Sequence, residues 1–440
     1  MLLLPVLLAG CARYTARPIS PAANAMALSA RRLNDPKLLR FLTAMGHPAP
    51  RWGIDTLTLV AVYERPDLRI VNANYAIAQG GLTTAAAIPN PVLGLSPSYN
   101  ATAPFPSPWK IGPVVSFLIT SFGARSANIA AARADIAAAR EAVLTAGWQE
   151  RARVRNALLA LWQARAQAQL TSRSAHFAAS GLTVLSQRYA SGMVSATALN
   201  LQRLTAEQAR FAATEAVRRQ RLARASLAAA IGLPKAALNG VPLDLAAFDH
   251  VEAPRGLAVL ARQALVRRPA VQAALARYAA AQDRLRVAID GQYPAFNIGP
   301  GYHFDQGNNK FLLTLALPLP IFNQNQGPIA VARARRRLAA AQFDQVQQRV
   351  LGAIDTARTN WRASRDVTLA AERAADGAER NEAAARSDFR AGATGRLRLI
   401  GAQQAAILAE QDALTARIQA RTALGQLEDA LHHVFFRSFP

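Results

Sequence analysis

Phe296-Asn297-Ile298-Gly299-Pro300-Gly301-Tyr302-His303-Phe304 sets large apolar, aromatic or proline residues against small or polar ones at every second position. A period of two marks an extended strand with one apolar face and one small, polar face. The pattern also stands 203 residues earlier, with Leu93, Leu95, Pro97 and Tyr99 on one face and Gly94, Ser96, Ser98 and Asn100 on the other. Each run has a partner, Val115-Phe117-Ile119 and Leu313-Leu315-Leu317-Leu319 at alternate positions, followed by Ser121-Phe122-Gly123 and Ile321-Phe322-Asn323. Strands of about ten residues, apolar outside and small or polar inside, with aromatics near their ends, suit a transmembrane β-barrel. An amphipathic soluble hairpin carries the same period. Four strands close no barrel, since a small one needs about eight, and lipid tolerates no open edge. Several copies must therefore share one barrel.

The strands sit inside a larger repeat. Ile129-Ala130-Ala131-Ala132-Arg133-Ala134 recurs as Ile329-Ala330-Val331-Ala332-Arg333-Ala334, and Tyr189-x-x-Gly192-x-x-Ser195-x-x-x-Leu199 as Phe389-x-x-Gly392-x-x-Gly395-x-x-x-Leu399, both shifted by 200. Arg65-Pro66 matches Arg268-Pro269, and Asn90-Pro91 matches Tyr293-Pro294, shifted by 203, as one longer loop in the first copy would produce. Each copy reads helix (Leu57 to Ala87; Leu257 to Ile289), two strands, a proline-free long helix (Arg125 to Tyr189; Ile329 to Phe389), a Gly-containing turn, and a returning helix (Ala196 to Ile231; Arg396 to Leu431). About 60 helical residues span on the order of 90 Å, so these helices are expected to lie against other long helices in a coiled coil or tube. Ile400, Ile407 and Leu414 recur every seven residues, as a coiled-coil seam does.

The chain has 440 residues, 51% apolar and 18% charged, with 51 basic and 27 acidic side chains and a formal charge of +24. That charge makes nucleic acid and membrane surfaces the first partners to weigh. Nucleic-acid binding predicts a basic stripe with interleaved aromatics and no export signal. Here Arg is spread along every helix, and Met1 to Gly10 reads as the apolar core of a secretory signal. The single cysteine rules out a disulfide framework and a Cys-based zinc site. Cys11 ends Leu8-Ala9-Gly10-Cys11, which resembles a bacterial lipobox and marks it as the lipid-attachment residue; Ala12 resembles the sorting signal for the outer membrane. The resulting division is a signal peptide (1–10), a lipidated, irregular linker (11–54), a first repeat (55–250), and a second repeat with a C-terminal tail (251–440).

Taken together, the signal, the lipobox, the duplicated helix–strand–strand–long helix–turn–helix order and the [Tyr/Phe]-x-x-Gly turns resemble the TolC-like outer-membrane efflux proteins, closest to the lipidated branch. The likeness runs from about Asp55 to Leu431. It implies a membrane α+β fold: a homotrimer sharing one 12-stranded barrel, four strands per chain, continued by a periplasmic helical tunnel. It also implies a periplasmic adaptor docking on the hairpin tips, Tyr189, Gly192 and Leu199 with Phe389, Gly392 and Leu399, and an inner-membrane pump, RND-type first. Where best-known members carry acidic residues after the second tip glycine, this chain has Arg398 and Gly401, with Ala198 and Leu201 in the first copy and only Asp388 near. Arg398 is then the expected constriction. No acidic residue lies between Arg151 and Ala206, a span holding Arg151, Arg153, Arg155, Arg165, Arg173, Arg188 and Arg203. A positive mouth would favour anions; alternatively, these side chains face outward.

Catalysis finds no support, with no Gly-rich phosphate loop, nucleophile elbow or paired carboxylates. No cofactor or metal is expected; Glu428 and His432 could share a helix face, but a frayed C-terminal tail is the reading there. The expected function is a passive exit duct; the alternative is a periplasmic coiled-coil lipoprotein without a pore.

Overall fold

The computed structural model describes residues 14–102, 106–120, 123–249 and 254–436. The proposed acylation residue Cys11 lies outside them, as do Ser121 and Phe122. The N-terminal stretch expected to be irregular holds two helices, α1 (Pro21–Ala30) and α2 (Pro36–Ala44). Both start with proline in the first turn, where its missing N–H is harmless. Ser20 and Asp35 cap them by accepting from Ala23 N and Lys37 N. Leu38 and Leu42 are fully buried, so α2 is docked rather than draped.

The leading helix of each copy is also two helices, not one: α3 (Ile54–Glu64) with α4 (Pro66–Ala86), and α7 (Leu257–Arg267) with α8 (Pro269–Asp290). The repeated Arg-Pro is the cause. Proline drives the residue before it out of the helical region, and Arg65 (ψ 143°) and Arg268 (ψ 133°) are both extended. The long helices are α5 (Ala124–Ala190, 67 residues) and α9 (Gln326–Arg390, 65 residues), each about 100 Å at 1.5 Å per residue. The returning helices are α6 (Ala196–Ala230) and α10 (Arg396–Leu431).

Four extended ribbons form one antiparallel sheet. Each ribbon of the first copy is broken once: β1 (Val92–Leu95) and β2 (Ser98–Tyr99) flank Pro97, and β3 (Trp109–Ile111) and β4 (Pro113–Ile119) flank Gly112. β5 (Phe296–Asp305) and β6 (Asn308–Ala316) are continuous. The order across the sheet is β1/β2, β4/β3, β5, β6, so the second ribbon of one copy pairs with the first of the other. The breaks leave the register intact, with Leu93 opposite Val115 and Tyr99 opposite Trp109 on one side, and Phe117 opposite Ile298 and Ile111 opposite Phe304 on the other. At Gly112 a Cβ would sit 2.0 Å from both the Tyr302 carbonyl and the His303 ring. Only glycine lets the ribbons approach there.

This register places both copies' apolar faces on one side. Ile298 lies opposite Leu315 and Tyr302 opposite Phe311. Leu93, Leu95, Phe117, Phe311, Leu313 and Leu315 all remain exposed. The opposite face carries Gly94, Val114, Gly299, Gly301 and Thr314. Aromatic pairs close the turn end, Tyr99 on Trp109 at 5.1 Å and Tyr302 on Phe311 at 5.6 Å.

A buried apolar core surrounds the middle of the long helices. Ile54, Leu57 and Val60 of α3, Leu158 of α5, Leu227 of α6, Ile354 of α9 and Leu424 of α10 meet there with Phe248 and Phe436. Burying side chains of this size contributes about 1.5–3 kcal/mol each, which fixes the short elements onto the tube. Ile400, Ile407 and Leu414 are buried, as the heptad spacing requires.

Candidate functional site

The two hairpin tips share one backbone solution. At the end of α5, Gly192 N donates to Tyr189 O at 2.9 Å and Met193 N to Arg188 O at 2.9 Å. At the end of α9, Gly392 N donates to Phe389 O at 3.1 Å and Ala393 N to Asp388 O at 2.9 Å. These are Schellman closures, and they put the two glycines at φ 71° and 75°, where a Cβ is disfavoured. Tyr189 and Phe389 stay exposed while Leu199 is buried, so the aromatic rings stand outward and the leucine closes the hairpin.

The structure brings the tips together. Gly181 of α5 lies beside Gln202 of α6 and Ile400 of α10, and a Cβ at Gly395 would reach 3.7 Å from an Arg188 guanidinium nitrogen. The returning helices start differently. Ser195 caps α6 by accepting from Ala198 N at 3.2 Å, whereas Gly395 offers α10 no side chain. Arg396 and Arg398 occupy the first turn of α10, where the helix dipole favours anions instead. Arg398 is exposed there, and Leu399 is half-buried.

The acid-free arginine run is not concentrated at the mouth. Arg151, Arg153 and Arg155 lie at mid-helix, Arg155 about 50 Å along α5 from the tip. Arg155 is 1% exposed and donates to Glu428 at 3.0 Å and to Asp429 at 2.7 Å. Burial lowers the pKa of this guanidinium, but the hydrogen-bonded Asp429 and Glu428 carboxylates outweigh it and hold it above the ordinary value. Arg151 donates to Asp55 at 2.7 Å and to the Phe436 carbonyl at 2.6 Å. Arg153 pairs with Glu150, which also faces Arg65 at 3.1 Å. Arg173 pairs with Glu410 at 2.8 Å beside a groove of about 760 Å³ that Arg165 also lines. Apart from Glu150, which stands just before the run and one turn from Arg153, these partners come from distant segments, so a scan for nearby acids misses them.

The C-terminal tail, which the sequence suggested would fray, packs against the helices as far as Phe436, the last described residue. Glu428, fully buried, accepts from Phe435 N at 2.8 Å and Phe436 N at 2.9 Å, and Phe436 is 1% exposed. His432 stacks on Trp148 at 4.0 Å, and Trp148 Nε1 donates to Asp429 at 3.1 Å. Burial, helped by Arg268 and opposed by Asp429, pushes His432 down to about 4. The repeat held a clue. His432 (φ 53°) occupies the place of Gly232 (φ 76°), the left-handed residue that ends α6.

Comparison with known proteins agrees with this architecture. The model of the outer membrane efflux protein family matches residues 60–233 and 260–432. The cobalt-zinc-cadmium resistance protein CzcC of Cupriavidus metallidurans is 28% identical over 257 residues, 57% of this chain and 58% of that protein's length. Among solved structures, the outer membrane protein VceC of Vibrio cholerae superposes with a TM-score of 0.69 at 21% identity, covering 87% of this chain and 96% of that one. The CmeC outer membrane channel of Campylobacter jejuni gives 0.68 at 13% identity, covering 88% and 87%. With an apolar-faced sheet, two matched long hairpins and a family match along most of its length, the chain belongs to the outer membrane efflux protein family.

Proposed function

We propose that this protein is the outer-membrane exit duct of a tripartite efflux system, a passive conduit fed by an inner-membrane pump through a periplasmic adaptor. One observation carries the reading: a four-ribbon sheet exposes a continuous Leu/Phe face while leaving β1 and β6 as unpaired edges among the described residues. In lipid such edges must be closed, and three chains supply the twelve ribbons of one barrel. A poreless coiled-coil lipoprotein leaves that face without a purpose.

In this reading the molecule is a homotrimer, held by Cys11 acylation and by the barrel, with the adaptor on the Tyr189–Leu199 and Phe389–Leu399 tips. Arg398 rings the closed mouth and separates when the adaptor parts the hairpins. The energy comes from the pump, RND-type first, and the duct performs no catalytic step. Metal ions are the first substrate class to test because CzcC is named for cobalt, zinc and cadmium resistance.

Single-channel recording of the detergent-purified protein in a planar bilayer tests the duct. Discrete conductance steps are expected, larger in a variant with Arg398→Ala that loosens the mouth. Silence from both variants, in protein shown by gel to have inserted as a trimer, overturns the reading.

A further inference from the structure

The strand-forming segments 92–119 and 296–316 contain four ionisable side chains besides tyrosine: Lys110, His303, Asp305 and Lys310. The register gathers all four onto the small-residue face. Lys110 lies opposite Asp305 across β3 and β5, and His303 opposite Lys310 across β5 and β6. Lys310 donates to Asp305 at 2.7 Å. The His303 ring lies over Gly112, on the same face. All four sit within a few residues of the strand turns, at the end remote from the long helices.

The other face is the Leu/Phe face that lipid takes. A lysine turned toward lipid costs about 2–4 kcal/mol at the midplane, falling to about 0–1 kcal/mol near the interface where these lysines sit, so the Leu/Phe face decides which side meets lipid. The charged face therefore turns inward once the sheet closes. Two lysines against one aspartate leave each chain one positive charge in excess there, before any contribution from His303. Asp305 is shared between the two lysines, with the bonded contact going to Lys310.

We infer that Lys110 and Lys310 form a cationic ring at the outer end of the barrel lumen that sets the duct's ion preference toward anions, resting on the trimeric duct reading above. Magnitudes decide when it acts. Twelve strands about 4.8 Å apart and tilted by about 40° give a backbone radius of about 12 Å. Three unit charges at that distance in water enrich an axial anion about sixfold before screening. With a Debye length of about 30 Å at 0.01 M the enrichment is still about threefold, and at 1 M, where the length is about 3 Å, it vanishes. The ring is thus a filter in dilute salt and silent in concentrated salt. It acts on charged cargo, organic anions or anionic metal complexes, and opposes bare cations.

The test is the reversal potential across a KCl gradient around 0.01 M, recorded for the full-length protein and for Lys110→Gln/Lys310→Gln. The unmodified duct is expected to prefer chloride about threefold at low salt; the double variant, which leaves three Asp305 carboxylates in the ring, is expected to swing by about tenfold to a cation preference, with both alike at 1 M. Because the tunnel mouth carries its own arginines, a second variant isolates the barrel. Lys110→Cys, treated from the outer side with a cationic thiosulfonate reagent in one recording and an anionic one in a separate recording, is expected to shift the preference in opposite directions. Equal reversal potentials for all forms, in channels that conduct, overturn the ring while leaving the duct intact. No conductance from inserted trimers even when the mouth is loosened by Arg398→Ala overturns the duct reading instead.

Discussion

His432 ends α10 in a left-handed conformation against Trp148, and its neutral form is favoured by burial and by Arg268, with Asp429 pulling the other way. Its pKa falls from the usual 6.5 to about 4. Above pH 6.5 it is neutral in folded and unfolded chains alike and costs nothing. As pH falls from 6.5 toward 4 the unfolded chain takes up the proton first, so stability declines across that window, by about 1–3 kcal/mol. His432→Asn keeps a residue that tolerates the left-handed region and should flatten this part of the urea-midpoint profile. An unchanged slope would assign the effect to another group. Beside it, Glu428 serves Arg155 and two backbone N–H groups at once. Glu428→Ala leaves a buried cation half-paired and should cost about 3–5 kcal/mol, read as a lower urea midpoint, while releasing the last residues to proteolysis. Gly425 belongs to the same construction, because a Cβ there would lie 3.1 Å from Arg155 Nε.

At the level of elements, proline and glycine explain most of the departures from ideal periodicity. Pro66 and Pro269 split each leading helix, and Gly112 splits a strand without moving its register. Gly112→Ala places a methyl group 2.0 Å from the Tyr302 carbonyl, which backbone cannot yield cheaply. The ribbon must part from β5 or slip, and a one-residue slip would turn the apolar set inward. We expect Gly112→Ala to fail in barrel assembly while the helices form. A normal far-ultraviolet helical signal with loss of the folded, heat-modifiable band on gels is the predicted pairing. Full assembly of this variant would show that the close approach is not required. The repeated glycines at the tips act differently, since Gly192 and Gly392 have open space around their Cβ positions and are chosen for φ alone.

For the whole molecule, a single copy is unfinished. Among the described residues its sheet has two unpaired edges and an apolar face, the returning helix α6 exposes Leu204 and Phe211, and the long helix α9 exposes Leu338 and Leu351. Apolar patches of this extent mark surfaces that other molecules cover. Three copies closing on one another should run as a trimer on gels without boiling and collapse to monomer on heating; a monomer in every detergent would remove the basis for a shared barrel. Much of this was legible in the sequence because it is local. Alternation of Leu93 to Tyr99 and Phe296 to Phe304 gives strand faces, the absence of proline gives the long helices, and the tip glycines give the turns, each from interactions within a few residues. The duplication was legible because the same local code is written twice. What only the tertiary structure decided was pairing over long sequence separations. Arg155 found Glu428 and Asp429 across 273 and 274 positions, turning mid-helix arginines from candidate mouth charges into buried struts. Lys110 came to face Asp305 only because the last ribbon of one copy docks on the first of the next. A sequence fixes what each residue prefers around itself, but charge and burial depend on neighbours in space, and those are set by how the elements close.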